Sequence, residues 1–416
     1  MPKLKASPPA VERIINAAEE QFLTHGVWAT SVDRIAREAR VGKNSYYELF
    51  PSKDALFAAV VEQALNRMRV SLSCVRIKGS DLTEVLCNYA YSYLSIVIGR
   101  EGSGLYRATI TAERELPTLS MDLQHAWIAV SDLLTSYFAE LIERGVIVST
   151  NPELLAFRFV SCVVDGSRYL NGYAKPSDAE ARKIARAATH LFLNGYRTAP
   201  AVSIKDVLAL TLESEAPTPS EARAAIRMPF ERLQGLFDAA MQEFLERGFH
   251  GANLDRIVRQ AGVSKATLFR HFETKVALFQ HVVLREAEDI WGPQIPVTIG
   301  ATIEETVRAL IAGVLDRHLA PRSLALHRLM LAESGRFPAV MAEVSELMRN
   351  GPAAQLRRYL LAFGWPVAGP FVCRTFFTLA TEGVRWLAGE ERPDAQAREE
   401  AVAMAVQIVL SGVRLK

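Results

Sequence analysis

Paired cysteines are missing from this chain. Its four, Cys74, Cys87, Cys162 and Cys373, lie far apart with no CxxC spacing, which excludes a disulfide framework and a zinc knuckle. They read as small buried hydrophobes. Long apolar runs are missing as well: none reaches the ~18 residues that a membrane span requires. The start, MPKLKASPPA, has no signal-peptide stretch. These absences predict a soluble, cytoplasmic protein with no membrane partner. A strong charge of either sign is also lacking, the net being +2, so the total says nothing about nucleic acid. No glycine-rich phosphate loop, HExxH, GxSxG or paired-cysteine metal spacing occurs, and neither an enzyme nor a cofactor or metal is expected. What the chain does hold is apolar: 50% of its residues are hydrophobic and 23% charged, over a length of 416. That composition excludes disorder, and the length implies at least two domains.

An internal repeat decides the organisation. Residues 17–57, AAEEQFLTHGVWATSVDRIAREARVGKNSYYELFPSKDALF, align without a gap on residues 239–279, AAMQEFLERGFHGANLDRIVRQAGVSKATLFRHFETKVALF. The offset is a constant 222 (26 to 248, 53 to 275), with identities at Phe22/Phe244, Asp33/Asp255, Arg34/Arg256, Ile35/Ile257, Lys43/Lys265 and Phe50/Phe272. Later parts of each half correspond more loosely: RATITAERELP at 107–117 with RLMLAESGRFP at 328–338, and Asp165-Gly166 with Glu382-Gly383. Between the halves, ESEAPTPS at 213–220 is polar and proline-bearing, as an exposed linker is, and a short helix over 204–212 precedes it.

Inside the repeat, Ile14, Ala18 and Phe22 and their equivalents Leu236, Ala240 and Phe244 mark one helix face, closed by Gly26 or Gly248 as C-cap. Ser31 and Asn253 are N-caps for a short second helix that turns Ile35/Ile257 and Ala39/Ala261 inward. In the second copy this helix ends at Ala261-Gly262-Val263-Ser264, where the glycine takes a left-handed turn and the serine caps a third short helix over 265–272. A longer fourth helix follows Glu273-Thr274-Lys275. Two short helices across such a turn form a helix-turn-helix, whose second helix enters the major groove. Windows 30–53 and 252–275 carry +2 and +3, leaving −3 for the remainder, so positive charge gathers where phosphate contact needs it. The competing reading is a pair of ordinary hairpins with solvated charges. Duplication of turn, cap and basic residues counts against it.

AGVSKATLFRHFETKVALF resembles the DNA-binding signature of the tetracycline-repressor (TetR) family of transcriptional regulators, specifically over 17–57 and 239–279 and loosely beyond. The resemblance implies an all-α fold of two tandem modules, each with a three-helix DNA-binding head and a C-terminal bundle that dimerises and holds a small-molecule effector. Both protomers of the usual dimer would lie in one chain as an intrachain pseudo-dimer. It places a phosphate-contacting lysine at Lys53 and Lys275. Base and phosphate candidates are Lys43, Asn44, Ser45 and Tyr47 in the first head, and Lys265, Ala266, Thr267, Phe269, Arg270 and His271 in the second, beside the caps Ser31, Asn253 and Ser264. Tyr46, Leu268, Phe50 and Phe272 are expected in the core. The first head departs from the pattern, with Arg40 where the turn has glycine, Gly42 where serine caps, and Glu48 on the recognition helix. These predict a weaker first head, partly offset by the charge of Arg40.

The expected division is a head at 9–55, a bundle at 56–200, a linker at 201–228, a head at 229–277 and a bundle at 278–416. Asn151-Pro152-Glu153 opens an apolar helix through Phe157 and Val164 to Gly172, and its second copy runs from near Pro370 through Phe377 to Gly389. By family analogy these two join helices over 121–144 and 339–363 in a four-helix interface between the halves. Polar bundle residues that can orient an effector are His125, Trp127, Arg158, Asp165, His318, His327, Glu333 and Arg374. The expected partners are double-stranded operator DNA and a small effector of unknown identity, with pairing of two chains left open. The function expected is a ligand-responsive repressor reading two unequal half-sites. The alternative is a sensor working through protein contacts with one degenerate head, and the intact stretch 265–275 argues against it.

Overall fold

The computed structural model of the chain describes residues 9–25, 30–73, 81–99, 102–104, 131–149, 151–164, 175–195, 230–365, 369–382, 387 and 392–413. Among them every long element is a helix. The expected helix over 204–212, the linker, residues 107–117 and 121–130 with His125 and Trp127, and residues 165–172 lie outside the described residues. So do Gly26, Cys74 and Gly389 and the side chain of Arg374.

The first half opens with α1 (Ala10–His25), α2 (Val32–Glu38), α3 (Lys43–Leu49) and α4 (Lys53–Ser73). Its bundle continues with α5 (Leu82–Val97), α6 (Asp132–Glu143), α7 (Pro152–Val164) and α8 (Asp178–Asn194). The second half repeats the opening as α9 (Phe230–Gly251), α10 (Leu254–Gln260), α11 (Lys265–His271) and α12 (Lys275–Trp291). Its bundle is α13 (Ile303–Leu319), α14 (Pro321–Glu333), α15 (Pro338–Ala362), α16 (Pro370–Thr381) and α17 (Ala395–Ser411). The repeat extends to the packing. Phe22 meets Phe57 edge-on with centroids 5.8 Å apart, and their equivalents Phe244 and Phe279 do the same at 4.9 Å.

Helix ends follow the local chemistry. Gly248 breaks α9 with φ 66 and ψ 177, a conformation open to glycine and strained for other residues. Asn151 accepts a hydrogen bond from the Leu154 N–H at 2.8 Å and starts α7. The helix expected to run from Pro370 to Gly389 stops instead at Thr381, because Glu382 takes the left-handed conformation, φ 58 and ψ 22.

The two halves meet through their last helices. α7 packs on α16 and α8 on α17. Helices 121–144 and 339–363 were expected in this interface, but α6 packs on α7 within the first half, and α15 packs on α12 and α16 within the second. Glycine at the ends of α8 and α17 lets the two backbones approach. Closest are Gly195 and Gly412, each with positive φ (65 and 71), and a Cβ on either would fall within 3.0 Å of the other half's backbone. Beside them the Val413 N–H donates to the Phe192 carbonyl at 2.7 Å.

Candidate nucleic-acid interface

Each head is set by its caps and turn. Ser31 accepts from the Arg34 N–H at 3.2 Å and Asn253 from the Asp255 N–H at 2.7 Å, fixing the starts of α2 and α10. The turn that follows has Gly262 at φ 64 in the second head and Arg40 at φ 54 in the first. A non-glycine residue there costs ~1 kcal/mol or more. Ser264 accepts from the Thr267 N–H at 3.0 Å, whereas Gly42 has no side chain with which to cap α3. Glycine in place of serine at such a cap costs only roughly a few tenths of a kcal/mol. Both departures of the first head are therefore present in the fold.

The recognition helices present the expected faces. Tyr46, Leu268, Phe50 and Phe272 are buried, while Tyr47 and Phe269 are 46% and 41% exposed. Arg40, Lys43, Asn44, Ser45 and Glu48 are exposed in the first head, as are Lys265, Ala266 and Arg270 in the second; Thr267 and His271 are half-buried.

Two ion pairs that sequence reasoning missed hold these helices. Lys43 lies 2.8 Å from Asp33, and Lys265 lies 3.0 Å from Asp255, tying each recognition helix to the one before it. The Lys43 hydrogen bond and charge hold the Asp33 carboxyl below the usual carboxylate range, and Asp33 in turn raises Lys43. The acid and the lysine recur at the same spacing in both copies, which was the available signal. A second missed residue is Glu243, buried on α9, which accepts from the Asn253 N–H at 2.9 Å and Arg256 Nε at 2.8 Å. Burial pulls its carboxyl up, but these hydrogen bonds outweigh burial and leave it lowered. The first head has Gln21 at the matching position, hydrogen-bonded to Glu38 at 2.7 Å.

Lys275 is less free than its expected role implies. Its ammonium donates to the Ala252 carbonyl at 2.6 Å and lies 4.9 Å from the Phe249 ring centroid. Desolvation lowers its pKa. With two carbonyls in reach, Ala252 and, at 3.4 Å, His250, one of its three N–H donors is left to point outward. Lys53 is half-buried at the start of α4.

The effector candidates divide. Arg158 is committed to the other half: it donates to Glu382 Oε1 at 2.9 Å, to the Ala401 carbonyl at 2.8 Å and to the Leu379 carbonyl. Glu333 accepts from the Phe249 N–H at 3.0 Å and so ties the end of α14 to the second head. His327 lies in a buried row of rings, 5.3 Å from His318, which is 5.8 Å from Phe377, itself 5.2 Å from Trp291. Burial, then the charges of His318 and Arg349, hold His327 well below the usual imidazole range, so its ring is neutral. Trp291 Nε1 in this row, and elsewhere in the second half Ser323 Oγ and Thr378 Oγ1, are buried and have no hydrogen-bond partner among the described residues.

Comparison with known proteins agrees with this geometry. The family model "Bacterial regulatory proteins, tetR family" matches residues 14–60 and again 236–282. The model "AefR-like transcriptional repressor, C-terminal domain" matches residues 84–198. The HTH-type transcriptional activator FasR of Mycolicibacterium smegmatis is 38% identical over 69 residues, 16% of this chain and 32% of that protein. The HTH-type transcriptional regulator SrpR of Pseudomonas putida is 28% identical over 120 residues, 28% of this chain and 55% of that protein. The chain thus spans about a third and about half of the length of these relatives. A solved TetR-family regulator from Mesorhizobium loti superposes with a TM-score of 0.39 at 22% identity, covering 44% of this chain and 93% of its own. Matched over the head of each half, residues 14–60 and 236–282, and over 84–198 of the first bundle, the chain belongs to the TetR family, with two family modules in tandem.

Proposed function

We propose that the chain is a ligand-responsive transcriptional regulator, acting as a repressor, whose halves pair as an intrachain pseudo-dimer and read one operator with two unequal half-sites. The observation that carries the reading is the pair of repeated heads, each offering an exposed recognition-helix face beside basic residues. The contacts of α7 with α16 and α8 with α17 support the pairing. The division into heads at 9–55 and 229–277 with bundles at 56–200 and 278–416 follows from the same repeat. Fluorescence anisotropy with a duplex recovered from a random library, together with light scattering of the complex, tests it: one chain per site is expected.

Lys275→Ala should weaken binding to operator and random duplex alike, and lower the salt slope by about one, because a phosphate contact carries no sequence information. The variant also loses the bonds to the Ala252 and His250 carbonyls, so its folding is checked separately by thermal melting. An unchanged salt slope in a folded variant removes the phosphate role.

The effector site we assign to the buried ring row of the second half. A buried polar group without a partner costs ~1–3 kcal/mol; Trp291 Nε1 lies in the row, and Ser323, one helical turn before His327, and Thr378, next to Phe377 in sequence, add two more such groups that a ligand could pair with. Trp291 Nε1 can only donate, so the ligand brings an acceptor. The neutral His327 beside Arg349 disfavours a cationic ligand. A small flat molecule with one acceptor or acidic group fits this chemistry. α14 then links site to head, since it carries Ser323 and His327 along its length and Glu333 at its end. An effector of this class should shift Trp291 fluorescence, raise the melting temperature and lower operator affinity together, as linkage requires. A stabilising ligand that leaves operator binding unchanged would falsify the inducer reading of this site.

A further inference from the structure

The recognition helices α3 and α11 read KNSYYEL and KATLFRH, and the first lysine is the one side chain they share. Its partner is shared too. Lys43 lies 2.8 Å from Asp33 and Lys265 lies 3.0 Å from Asp255, each acid standing at the second position of the preceding helix. All four side chains are more than half exposed, and an exposed ion pair contributes little to folding. A lysine at the first position of a helix is also opposed by the unpaired N–H groups there. Folding therefore gives no reason to keep this lysine in both heads while the rest of the recognition helix diverged. Contact with DNA does.

The carboxylate decides which kind of contact that is. An ammonium on a flexible four-carbon stem goes readily to the nearest phosphate, which carries no sequence information. Held by the aspartate, it has one of its three N–H donors taken and two left. Side chains at the start of a recognition helix face base edges in the major groove, where two donors match the O6 and N7 acceptors of guanine. The pair is also neutral as a unit, so it adds no net attraction to the backbone. In the first head the hydrogen bond and charge of each partner favour the ionised form of the other.

We infer that Asp33 and Asp255 are specificity-determining positioning residues: each holds its lysine off the DNA backbone and on a guanine edge, giving two otherwise unequal half-sites one base in common. The inference rests on the proposed reading of two half-sites by two heads. Salt titration on random-sequence duplex tests the holding without any operator, so the two can fail separately.

The experiment uses the full chain, with affinity for random-sequence duplex followed by anisotropy between about 50 and 200 mM salt. Asp255→Asn should free Lys265 for a phosphate. The slope of log affinity against log salt then steepens by about 0.9, an additional fall of about threefold across that range. Asp33→Asn should do the same, and the two together should double the change. In a Lys265→Met chain, Asp255→Asn should leave the slope where it was. If the aspartate acted only by repelling DNA, or by supporting the first turn of α10, its replacement would act equally with and without Lys265, and the holding role would be overturned. A gain in affinity at constant slope overturns it as well, since the lysine would then already leave the carboxylate for phosphate. Thermal melting checks that each variant is folded, and Lys265→Met alone gives a second reading if Asp255→Asn is not. With Asp255 in place, Lys265→Met should lower operator affinity and erase the guanine preference at one position of one half-site, at unchanged salt slope. A slope lowered by about one with every base preference intact sinks the inference whatever the aspartate variants do. Library selection by the unsubstituted chain should return a guanine at matching positions of the two half-sites; half-sites with no base in common would also overturn it.

Discussion

Replacing Gly412 by alanine should separate the two halves while leaving both heads folded. Gly412 has φ 71 and ψ −174, a region essentially reserved for glycine and worth ~1–3 kcal/mol of strain for any other residue. An added Cβ would also meet the backbone of Leu193 and Asn194 within 3.0 Å, and backbone cannot rotate aside. Overpacking of this kind costs ~1–3 kcal/mol more. The total is a large fraction of the ~5–15 kcal/mol that holds a domain folded. Gly364→Ala is the control: its φ is also positive, 71, but an added Cβ has nothing within 4 Å, so only backbone strain remains. Calorimetry should show a much larger fall in melting temperature for Gly412→Ala than for Gly364→Ala. Operator affinity should fall with it, because the spacing of the heads is lost. Equal melting temperatures for the two variants would remove Gly412 from the interface.

The contrast between heads and interface explains what could be read in advance. Ser31, Asn253, Gly262 and Ser264 act within a few residues of themselves, and the repeat displayed each choice twice, so caps, turn and recognition faces were legible. The ion pairs Asp33 with Lys43 and Asp255 with Lys265 cross from one helix to another, so their only trace in the sequence is an acid and a lysine repeated at the same spacing in both copies. Arg158 shows the same difficulty. An arginine on an apolar helix looks like a ligand group until Glu382, from the other half, is found against it. Of the four helices expected in the interface, α7 and α16 do pack on each other, whereas the α8–α17 contact was not foreseen, because an apolar stripe reads alike whether it faces its own bundle or the other half. The early stop of α16 was equally hidden, since nothing local marks Glu382 for a left-handed conformation; in the fold its carboxylate is held there by Arg158.

Arg270→Ala should reduce operator affinity by roughly 1–3 kcal/mol, about 5- to 150-fold, and relax the preference at one base position, because an exposed recognition-helix arginine reads guanine in the major groove. The repeat puts Glu48 at the matching place in the first head, and Ser45 and Asn44 where the second head has Thr267 and Ala266. A carboxylate accepts from the cytosine amino group and repels phosphate, so this position asks for a different base in each half-site. Glu48→Ala should then raise binding to random duplex, opposite in sign to Arg270→Ala, and Glu48→Arg should raise it further and steepen the salt dependence by about one. Selection of duplexes from a random library is the decisive measurement. The unsubstituted chain should return two half-sites of different sequence about one helical turn apart, and Glu48→Arg should return a pair more alike at that base. A strictly palindromic site selected by the unsubstituted chain would defeat the reading, because two heads with opposite charge at the same position cannot prefer the same base there for the same reason.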